Sequence, residues 1–317
     1  MIWVGGLVTT YDAGMAVPDW PSTYGDQLHE YPLSKWISGP FDLFIEHGHR
    51  LLGAFVGILT IGLVAVTFVF DKRNLVRGFS VACLAGVIVQ GLIGGARVIE
   101  NEVLLARLHG CTGPLFFCMT VVMVLLTSQT WQHQNRSYTD ADGRLFRIAA
   151  ILTIVSYAQL VLGANLRHIT AMTTPMEFRS VAFGHVGTAI AIAVYAIALW
   201  NATRKTTIRQ VAILGRLIPV LVLTQICLGV GTWFVKYNWP TWLPMVESFD
   251  QFVVQEKGFV QAIVTTAHVA MGSLILAASL AASVASCPVR FAANKQSTTR
   301  KKGVTRNSSS VRMEAIA

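Results

Sequence analysis

The sequence predicts an all-α integral membrane protein with about eight transmembrane helices, arranged as two pseudo-symmetric four-helix bundles in which the first helix is truncated. Three observations predict this class. Hydrophobic residues make up 53% of the chain and charged residues only 13%, and the mean hydropathy is +0.55. Apolar runs recur along the chain without the apolar–polar alternation of half-buried strands. Several runs reach the ~20 residues that a helix needs to cross a hydrocarbon layer.

In chain order, the first segment is the exception. Only Met1 to Val8 precede the polar stretch Thr9–Gly14, and a helix of that length rises ~12 Å, less than half of the layer. We therefore expect the functional protein to carry roughly ten or more residues before Met1, which would complete a span. The later runs predict the remaining helices: Leu51–Phe70, Leu75–Ile99, Pro114–Thr127, Ile148–Leu166, Val181–Trp200, Val211–Val235 and Val260–Val284.

Charge predicts the orientation of these helices. Basic residues gather in every second connection and in the tail: Lys72–Arg77, Arg136–Arg147, Arg204–Arg216 and Arg290–Arg312. The alternate connections hold most of the acids. Positively charged loops stay in the cytoplasm. We therefore expect a protein of the bacterial cytoplasmic membrane whose C-terminus lies on the cytoplasmic side. The net charge of +9 therefore does not predict nucleic-acid binding, and residues 287–317 are expected to form a basic, disordered cytoplasmic tail.

A repeat divides the chain into hairpins. Three segments end alike: QGLIGGARV from Gln90, QLVLGANLR from Gln159 and QICLGVGTW from Gln225. Each closes an outward-running helix, and the inward-running helix that follows has one histidine near its start. The stretch WVGGLVTTYDAG, followed by His49, is the fourth copy. The repeat predicts four hairpins in two halves, residues 1–140 and 141–286, related by a pseudo-twofold axis along the membrane normal.

Four histidines occupy equivalent repeat positions near the outer face: His49, His109, His185 and His268. Polar residues at membrane depth are costly and usually functional. Imidazole suits zinc, copper and haem iron, but zinc sites usually add carboxylates or thiolates, and no such cluster is repeated here. Two histidines that face each other across a four-helix bundle can hold haem iron from both sides. The repeat thus predicts one pair in each half, His49 with His109 and His185 with His268.

The residues around these histidines allow two interpretations. The glycines of GLIGG and LGVG would let a flat macrocycle approach the backbone, but they also serve plain helix–helix contact. Five arginines near the outer face are candidate partners for haem propionates, with snorkelling to the interface as the alternative: Arg50, Arg97, Arg107, Arg167 and Arg179. The other histidines and the five cysteines form no metal-binding pattern, so we expect structural roles for them.

Glu46 lies three residues before His49, so both side chains project from one face of the same helix. The stretch EHGHR therefore has the form E-x-x-H-R, and this motif resembles that of the haem A synthase family of membrane proteins (CtaA/Cox15). The stretch GGLVTTYDAGMAVPDWP, with its final D-W-P, and the single histidines of the later inward helices are similar as well. The resemblance spans about residues 3–285. Thr23 stands near the position of an outer-loop cysteine in many bacterial relatives, so cysteine redox chemistry is not expected.

The resemblance implies an activity, namely oxidation of the C8 methyl group of haem O to a formyl group, which gives haem A for terminal oxidases. It implies that His185 and His268 hold a haem B cofactor, and that His49 and His109 ligate the substrate haem or an activating one. Glu46 would be the catalytic carboxylate. The implied partners are the lipid bilayer, haem O handed over by haem O synthase, and an electron donor that the sequence does not identify. The sequence leaves open whether the protein forms a homo-oligomer.

Two other functions use the same ligands. A transmembrane electron-transfer cytochrome would need haems near both faces, whereas all four histidines lie near one. A haem-binding protein of oxidase assembly or haem transport would have no need of Glu46. Membrane class and fold do not separate these functions from the synthase.

Overall fold

The computed structural model describes residues 1–129, 140–204, 206, 208–237 and 256–287. Within these residues the secondary structure is helical, apart from an isolated bridge between Thr23 and Asp26. The helices are α1 (Ile2–Thr10), α2 (Leu33–Ile37), α3 (Phe41–Phe70), α4 (Asn74–Glu100), α5 (Val103–Thr127), α6 (Asp140–Arg167), α7 (Pro175–Thr203), α8 (Arg209–Tyr237) and α9 (Phe259–Ser286), with a 3₁₀ turn at Ala13–Met15. An all-α membrane protein is confirmed.

Seven of these helices, α3 to α9, are long and apolar enough to cross a membrane. The short α1, at 9 residues, is not among them. The division into residues 1–140, 141–286 and 287–317 stays a prediction. The structure does not describe all residues around the two boundaries, at 140 and at 286. The same holds for the basic tail after Cys287 and for the acidic outer loop around Glu247 and Asp250.

Two of the four histidine-bearing helices begin well before their apolar runs. Helix α5 begins at Val103 although its apolar run begins at Pro114, and α3 begins at Phe41 although its run begins at Leu51. In these two helices the extra stretch carries the histidine, whereas His185 and His268 lie within the apolar runs themselves. A capping box formed by Thr174 and Glu177 fixes the start of α7 and satisfies two free backbone N–H groups. The histidines therefore lie about two to three turns inside continuous helices, and in α5 the helix continues through Pro114.

The helices α6 to α9 pack as a closed ring, in which each helix contacts two neighbours. In the N-terminal half, α3, α4 and α5 pack in sequence and α1 lies against α3. Helix α9 joins the halves, since it also contacts α1 and α5. Its most apolar stretch is 56% buried, against 11–28% for the other spans. The reason is its run of Ala and Ser residues, which allows close helix approach.

Apolar packing fills the end of the C-terminal half remote from the histidines. Leu152, Leu199, Val211 and Ile218 are fully buried there. A smaller cluster joins the halves through Cys118, Leu276 and Ala277. The five cysteines are unpaired, and three of them are buried. Burial of Cys83, Cys111 and Cys118 is consistent with a packing role for these three, whereas Cys227 is exposed.

Candidate functional site

The four histidines meet as two facing pairs. The ring centres of His49 and His109 lie 6.2 Å apart with an interplanar angle of 83°. Those of His185 and His268 also lie 6.2 Å apart, with an angle of 62°. The first pair joins α3 to α5 and the second joins α7 to α9, which is the pairing that the repeat predicts. Two metal–nitrogen bonds of ~2 Å, each extended by ~1 Å to its ring centre, span about 6 Å, so an iron atom fits between the rings.

Ring nitrogens in both pairs lack partners. Nδ1 of His49, His185 and His268 is buried and makes no hydrogen bond to any described residue. Buried polar atoms without partners are rare in folded proteins and call for an explanation. Among the described residues, no three His, Cys, Asp or Glu side chains group together. The donor set is thus two imidazoles per half, which fits haem iron held from both sides.

One glycine on each of α1, α4, α6 and α8 makes room for a histidine ring of a neighbouring helix. A Cβ atom on Gly5, Gly94, Gly163 or Gly229 would lie 3.0, 2.7, 3.1 and 3.0 Å from Cε1 of His49, His109, His185 and His268, respectively. For Gly94 of GLIGG and Gly229 of LGVG, the contact that the structure shows is thus one between helices.

Sequence reasoning missed the role of the glutamine that lies one turn before three of these glycines: Gly94, Gly163 and Gly229. The amide nitrogen Nε2 of Gln90 lies 3.2 Å from Nδ1 of His109. The amide of Gln159 is equally close to Nε2 of His185, at 3.2 Å, and that of Gln225 lies 3.5 Å from Nε2 of His268. The signal was present, since Gln opens all three repeat segments, but a polar residue in a repeat does not by itself identify its partner.

Glu46 is buried and both of its carboxylate oxygens are hydrogen-bonded. Oε1 accepts from Nη2 of Arg50 at 2.8 Å, and Oε2 accepts from the backbone N–H of Val17 at 2.9 Å. The side chains of Arg50 and Glu46 are 9% and 4% exposed. Arg50 also donates to the backbone carbonyls of Val17, Asp19 and Ser22. The ion pair therefore fastens the loop after α1 to α3.

The same loop covers the N-terminal half. The indole of Trp20, in the D-W-P stretch, lies against Gly95, where a Cβ would be 2.3 Å from the ring. Thr23 is fully buried, and its hydroxyl is 3.0 Å from Nδ1 of His47. His47 therefore has the structural role that was expected, on a helix face other than that of His49. Thr23 thus joins the loop to α3 through His47.

The five arginines that are candidate propionate partners lie in different environments. Arg97 and Arg167 line one cavity of about 280 Å³ between the halves, together with His168, Asp12 and Glu102. Arg107 lines a neighbouring cavity of about 350 Å³ and donates to the carbonyl of His168. Arg50 is committed to Glu46 and the loop, and Arg179 is exposed. Burial and the surrounding positive charges of Arg167, Arg97 and Arg107 lower the pKa of His168 to about 4, so it adds no charge to the cavity.

The chain was compared with known proteins. The family model for COX15-CtaA, described as cytochrome oxidase assembly protein, matches residues 1–182. A heme A synthase of an Exiguobacterium species is 25% identical, over 78% of this chain and 82% of its own. The heme A synthase of Geobacillus kaustophilus is 28% identical, over 74% and 78%, and that of Cereibacter sphaeroides is 23% identical, over 75% and 78%.

No solved structure matches the chain. The match to the family model includes Glu46, His49 and His109 and covers more than half of the chain. The relatives extend over about three quarters of it. The resemblance to the haem A synthase family is confirmed, and the chain belongs to the COX15-CtaA family of cytochrome oxidase assembly proteins.

Proposed function

We propose that this protein is a haem A synthase, which oxidises the C8 methyl group of haem O to a formyl group. The observation that carries the proposal is the presence of two facing histidine pairs, one per half, each with the spacing that suits an iron atom. Relatives named heme A synthase cover most of the chain. Written with water as the oxygen source, the change from methyl to formyl releases four electrons and four protons. Written this way, the electrons must pass to an external acceptor and the protons to water; with dioxygen as the oxidant, the electron donor that the resemblance implies would supply electrons instead.

His185 and His268 hold a haem B cofactor in this proposal, and its bound iron supplies one-electron chemistry. The closed ring of α6 to α9 and its tight apolar packing favour a permanently held group. His49 and His109 then ligate the substrate haem or an activating one.

Glu46 is the proposed proton carrier. It lies one turn before His49, and the matching positions before the other three histidines are Ala106, Ala182 and Thr265. None of these residues can carry a charge. A carboxylate that joins a surface loop to a helix beside the substrate histidine can pass protons towards water. Its contacts with Arg50 and Val17 support a second role as well, that of a clamp for the loop.

Arg97 and Arg167 are the best-placed partners for haem propionates. Each lies within electrostatic range of one histidine pair, Arg97 of His49 and His109, and Arg167 of His268. Guanidinium groups recognise carboxylates through paired hydrogen bonds. Arg107 is a further candidate through its neighbouring cavity. The donors of Arg50 are taken by the loop and by Glu46, so it supports the site indirectly, and Arg179 has the weakest case because it is exposed.

An electron-transfer cytochrome or a haem carrier would use the same ligands. Against the cytochrome, the four histidines gather at one end of the bundle, where α3, α5, α7 and α9 begin. Against the carrier, the buried acid Glu46 lies one turn before His49, and the matching positions before the other three histidines hold no acid. Both arguments favour chemistry in the N-terminal half.

Haem extraction from cells tests the proposal. Cells that contain haem O, with no other haem A synthase, are given the gene for this protein, and their extracted haems are separated by chromatography. We expect haem A to appear and haem O to fall. Variants His185→Ala and His49→Ala serve as controls and should abolish haem A. Persistence of haem O alone, with the protein present in the membrane and loaded with haem, would leave the carrier or cytochrome as the function.

A further inference from the structure

The ring of α6 to α9 is filled by apolar side chains at the end remote from its histidines. Leu152, Leu199 and Ile218 are fully buried there. A haem carries its two carboxylates on one edge of the macrocycle, and a charged group without partners is costly in an apolar interior. The carboxylates of a haem held by His185 and His268 therefore belong at the opposite end of the ring.

Side chains from the end of α8 meet α6 and α7 at that opposite end. Nζ of Lys236 and the hydroxyl of Tyr237 donate to the backbone carbonyl of Leu166 at 3.2 and 3.4 Å. Leu166 belongs to α6, which is not a neighbour of α8 but lies diagonally across the ring. The ring centre of Tyr237 lies 5.1 Å from that of Trp233 and 5.5 Å from that of Phe178 on α7. These side chains therefore reach across the mouth of the ring.

The indole of Trp233 carries an unpaired donor between this mouth and the histidines. Its Nε1 is buried and has no hydrogen-bond partner among the described residues. Trp233 lies four residues after Gly229, on the same face of α8 and about 6 Å farther along the helix axis. Gly229 is the residue against which the ring of His268 packs. Side chains on a helix lean towards its N-terminus, which here is the direction of the histidine pair.

Positive charge at the same end has no anion beside it. Arg167 and Lys236 lie within electrostatic range of each other. Among the residues that the structure describes, neither forms an ion pair with a carboxylate. Lys236 donates one of its three ammonium N–H groups to Leu166, which leaves two for another acceptor. Two partly buried cations repel each other, so a nearby anion would stabilise both.

We propose that Trp233 and Lys236 bind the carboxylates of the haem held by His185 and His268. This inference rests on the proposed haem-binding function and adds two binding residues to it. The indole N–H and the ammonium group donate hydrogen bonds and cannot accept them, which suits a carboxylate acceptor. Hydrogen bonds with an ionised acceptor are stronger than those between neutral groups, so both residues would slow the release of the haem.

The repeat of the N-terminal half carries other residues at these two positions. Eight and eleven residues after the glutamine that begins each repeat segment, the α8 segment has Trp233 and Lys236, whereas the α4 segment has Val98 and Asn101. The side chain of Val98 has no donor, and that of Asn101 has no charge. The difference agrees with the proposed division of labour, in which the C-terminal half retains its haem.

The rate of haem transfer to excess apomyoglobin tests the proposal. The purified full chain carries His49→Ala, so that the C-terminal pair alone holds haem from both sides. It is loaded with haem B or with haem B dimethyl ester, which has no free carboxylate. We expect Trp233→Phe, which keeps an aromatic ring beside Tyr237, and Lys236→Met each to release haem B ~10-fold faster or more. Both should change release of the ester much less, and Trp200→Phe, near the far end of α7, should change neither rate.

A vibrational spectrum provides a second measurement. In the resonance Raman spectrum of bound haem B, Trp233→Phe should shift the propionate bending band to lower frequency, because the carboxylate loses a hydrogen bond. An unchanged band, or a release rate that changes equally for haem B and its ester or for neither, would overturn the assignment of Trp233. The same pattern of release rates in Lys236→Met would overturn that of Lys236. Should Trp233→Phe fail to fold, Lys236→Met still tests the carboxylate site.

His185→Ala separates failure of this inference from failure of the proposed function. We expect this variant to lose the haem of the C-terminal half. If it does, while Trp233→Phe and Lys236→Met release both forms of haem at unchanged rates, only the carboxylate site is wrong. If the variant with His49→Ala binds no haem, the C-terminal half does not hold one, and both the cofactor assignment and this inference are wrong.

Discussion

At the scale of single residues, Glu46 has two roles, one structural and one proposed in catalysis. It neutralises Arg50 in a buried pair, and it stands beside a proposed substrate ligand. Removing one partner of a buried ion pair costs ~3–5 kcal/mol, because the other charge stays buried alone. After the loss of Glu46, Arg50 would still donate hydrogen bonds to three backbone carbonyls of the loop. The contact between the loop and α3 would therefore persist in part. The two roles of Glu46 can therefore be separated by substitutions.

Glu46→Gln keeps the size of the side chain and can still accept the hydrogen bond of Val17, but it cannot carry a proton as a carboxylate does. We expect haem A formation to fall ~10²- to 10⁴-fold, while the absorbance spectrum of the cofactor haem stays nearly intact. Glu46→Ala should show the same loss of activity. Near-normal haem A production by Glu46→Gln would remove the proton-carrier role and leave the loop clamp as the function of Glu46.

Asp19 should make the stability of the loop after α1 depend on pH. Burial acts to raise the pKa of this carboxyl, but hydrogen bonds from Ser22, Gly25 and Tyr24 outweigh it and lower the pKa below its usual value of 3.8. A pKa lowered by folding gives stability that is present above the unfolded value and is lost as the pH falls through the folded one. Asp19→Asn should therefore melt below the wild type at neutral pH, by circular dichroism in detergent. The difference should shrink below about pH 4, and a difference that is constant with pH would contradict it.

At the scale of helices, the sequence predicts the spans and the histidine pairs but not what surrounds them. Apolar runs are visible because the bilayer demands them, and the histidines stand out because polar residues are rare there. Helix starts are missed at Phe41 and Val103, since hydropathy falls where polar site residues enter. The roles of Gln159 and Gly163 depend on rotation about neighbouring helix axes, which only packing fixes.

Two glycines of α4 provide a matched test of the histidine slots. Gly94→Ala would place a Cβ 2.7 Å from the ring of His109, whereas Gly91→Ala meets no atom within 4 Å. Alanine otherwise favours a helix over glycine by ~1 kcal/mol. We expect Gly91→Ala to keep activity and stability, and Gly94→Ala to impair haem A formation by displacing the ring. Equal activity in the two variants, measured in the same cells, would show that the slot has room to spare.

At the scale of the whole molecule, α9 connects the two halves. It carries His268, and it also packs against α1 of the other half, where Thr10 and Thr265 hydroxyls meet at 3.3 Å. Arg167 crosses the same boundary and donates to the carbonyl of Gly6 and the hydroxyl of Thr10. The proposed cofactor half is thus fastened directly to the helix that supports His49.

Membrane orientation is the prediction on which the delivery of haem and protons depends. The basic connection at Lys72 is expected in the cytoplasm and the loop that covers the N-terminal histidine pair outside. Thr23 is buried, so the exposed neighbour Gln27 is the better reporter of the outer side. In a variant whose native cysteines are replaced by alanine, Gln27→Cys should react with an impermeant maleimide in spheroplasts, and Lys72→Cys should react only after permeabilisation.

Inverted membrane vesicles provide the matched control, because they expose the opposite face, and there the two reporters should exchange their behaviour. Both positions lie in short exposed stretches between described helices, so access to the reagent depends on the side of the membrane alone. If Lys72→Cys were labelled in spheroplasts and Gln27→Cys were not, the histidine pairs would face the cytoplasm. Glu46 would then exchange protons with the cytoplasm, and the haem substrate would have to enter the N-terminal half from that side.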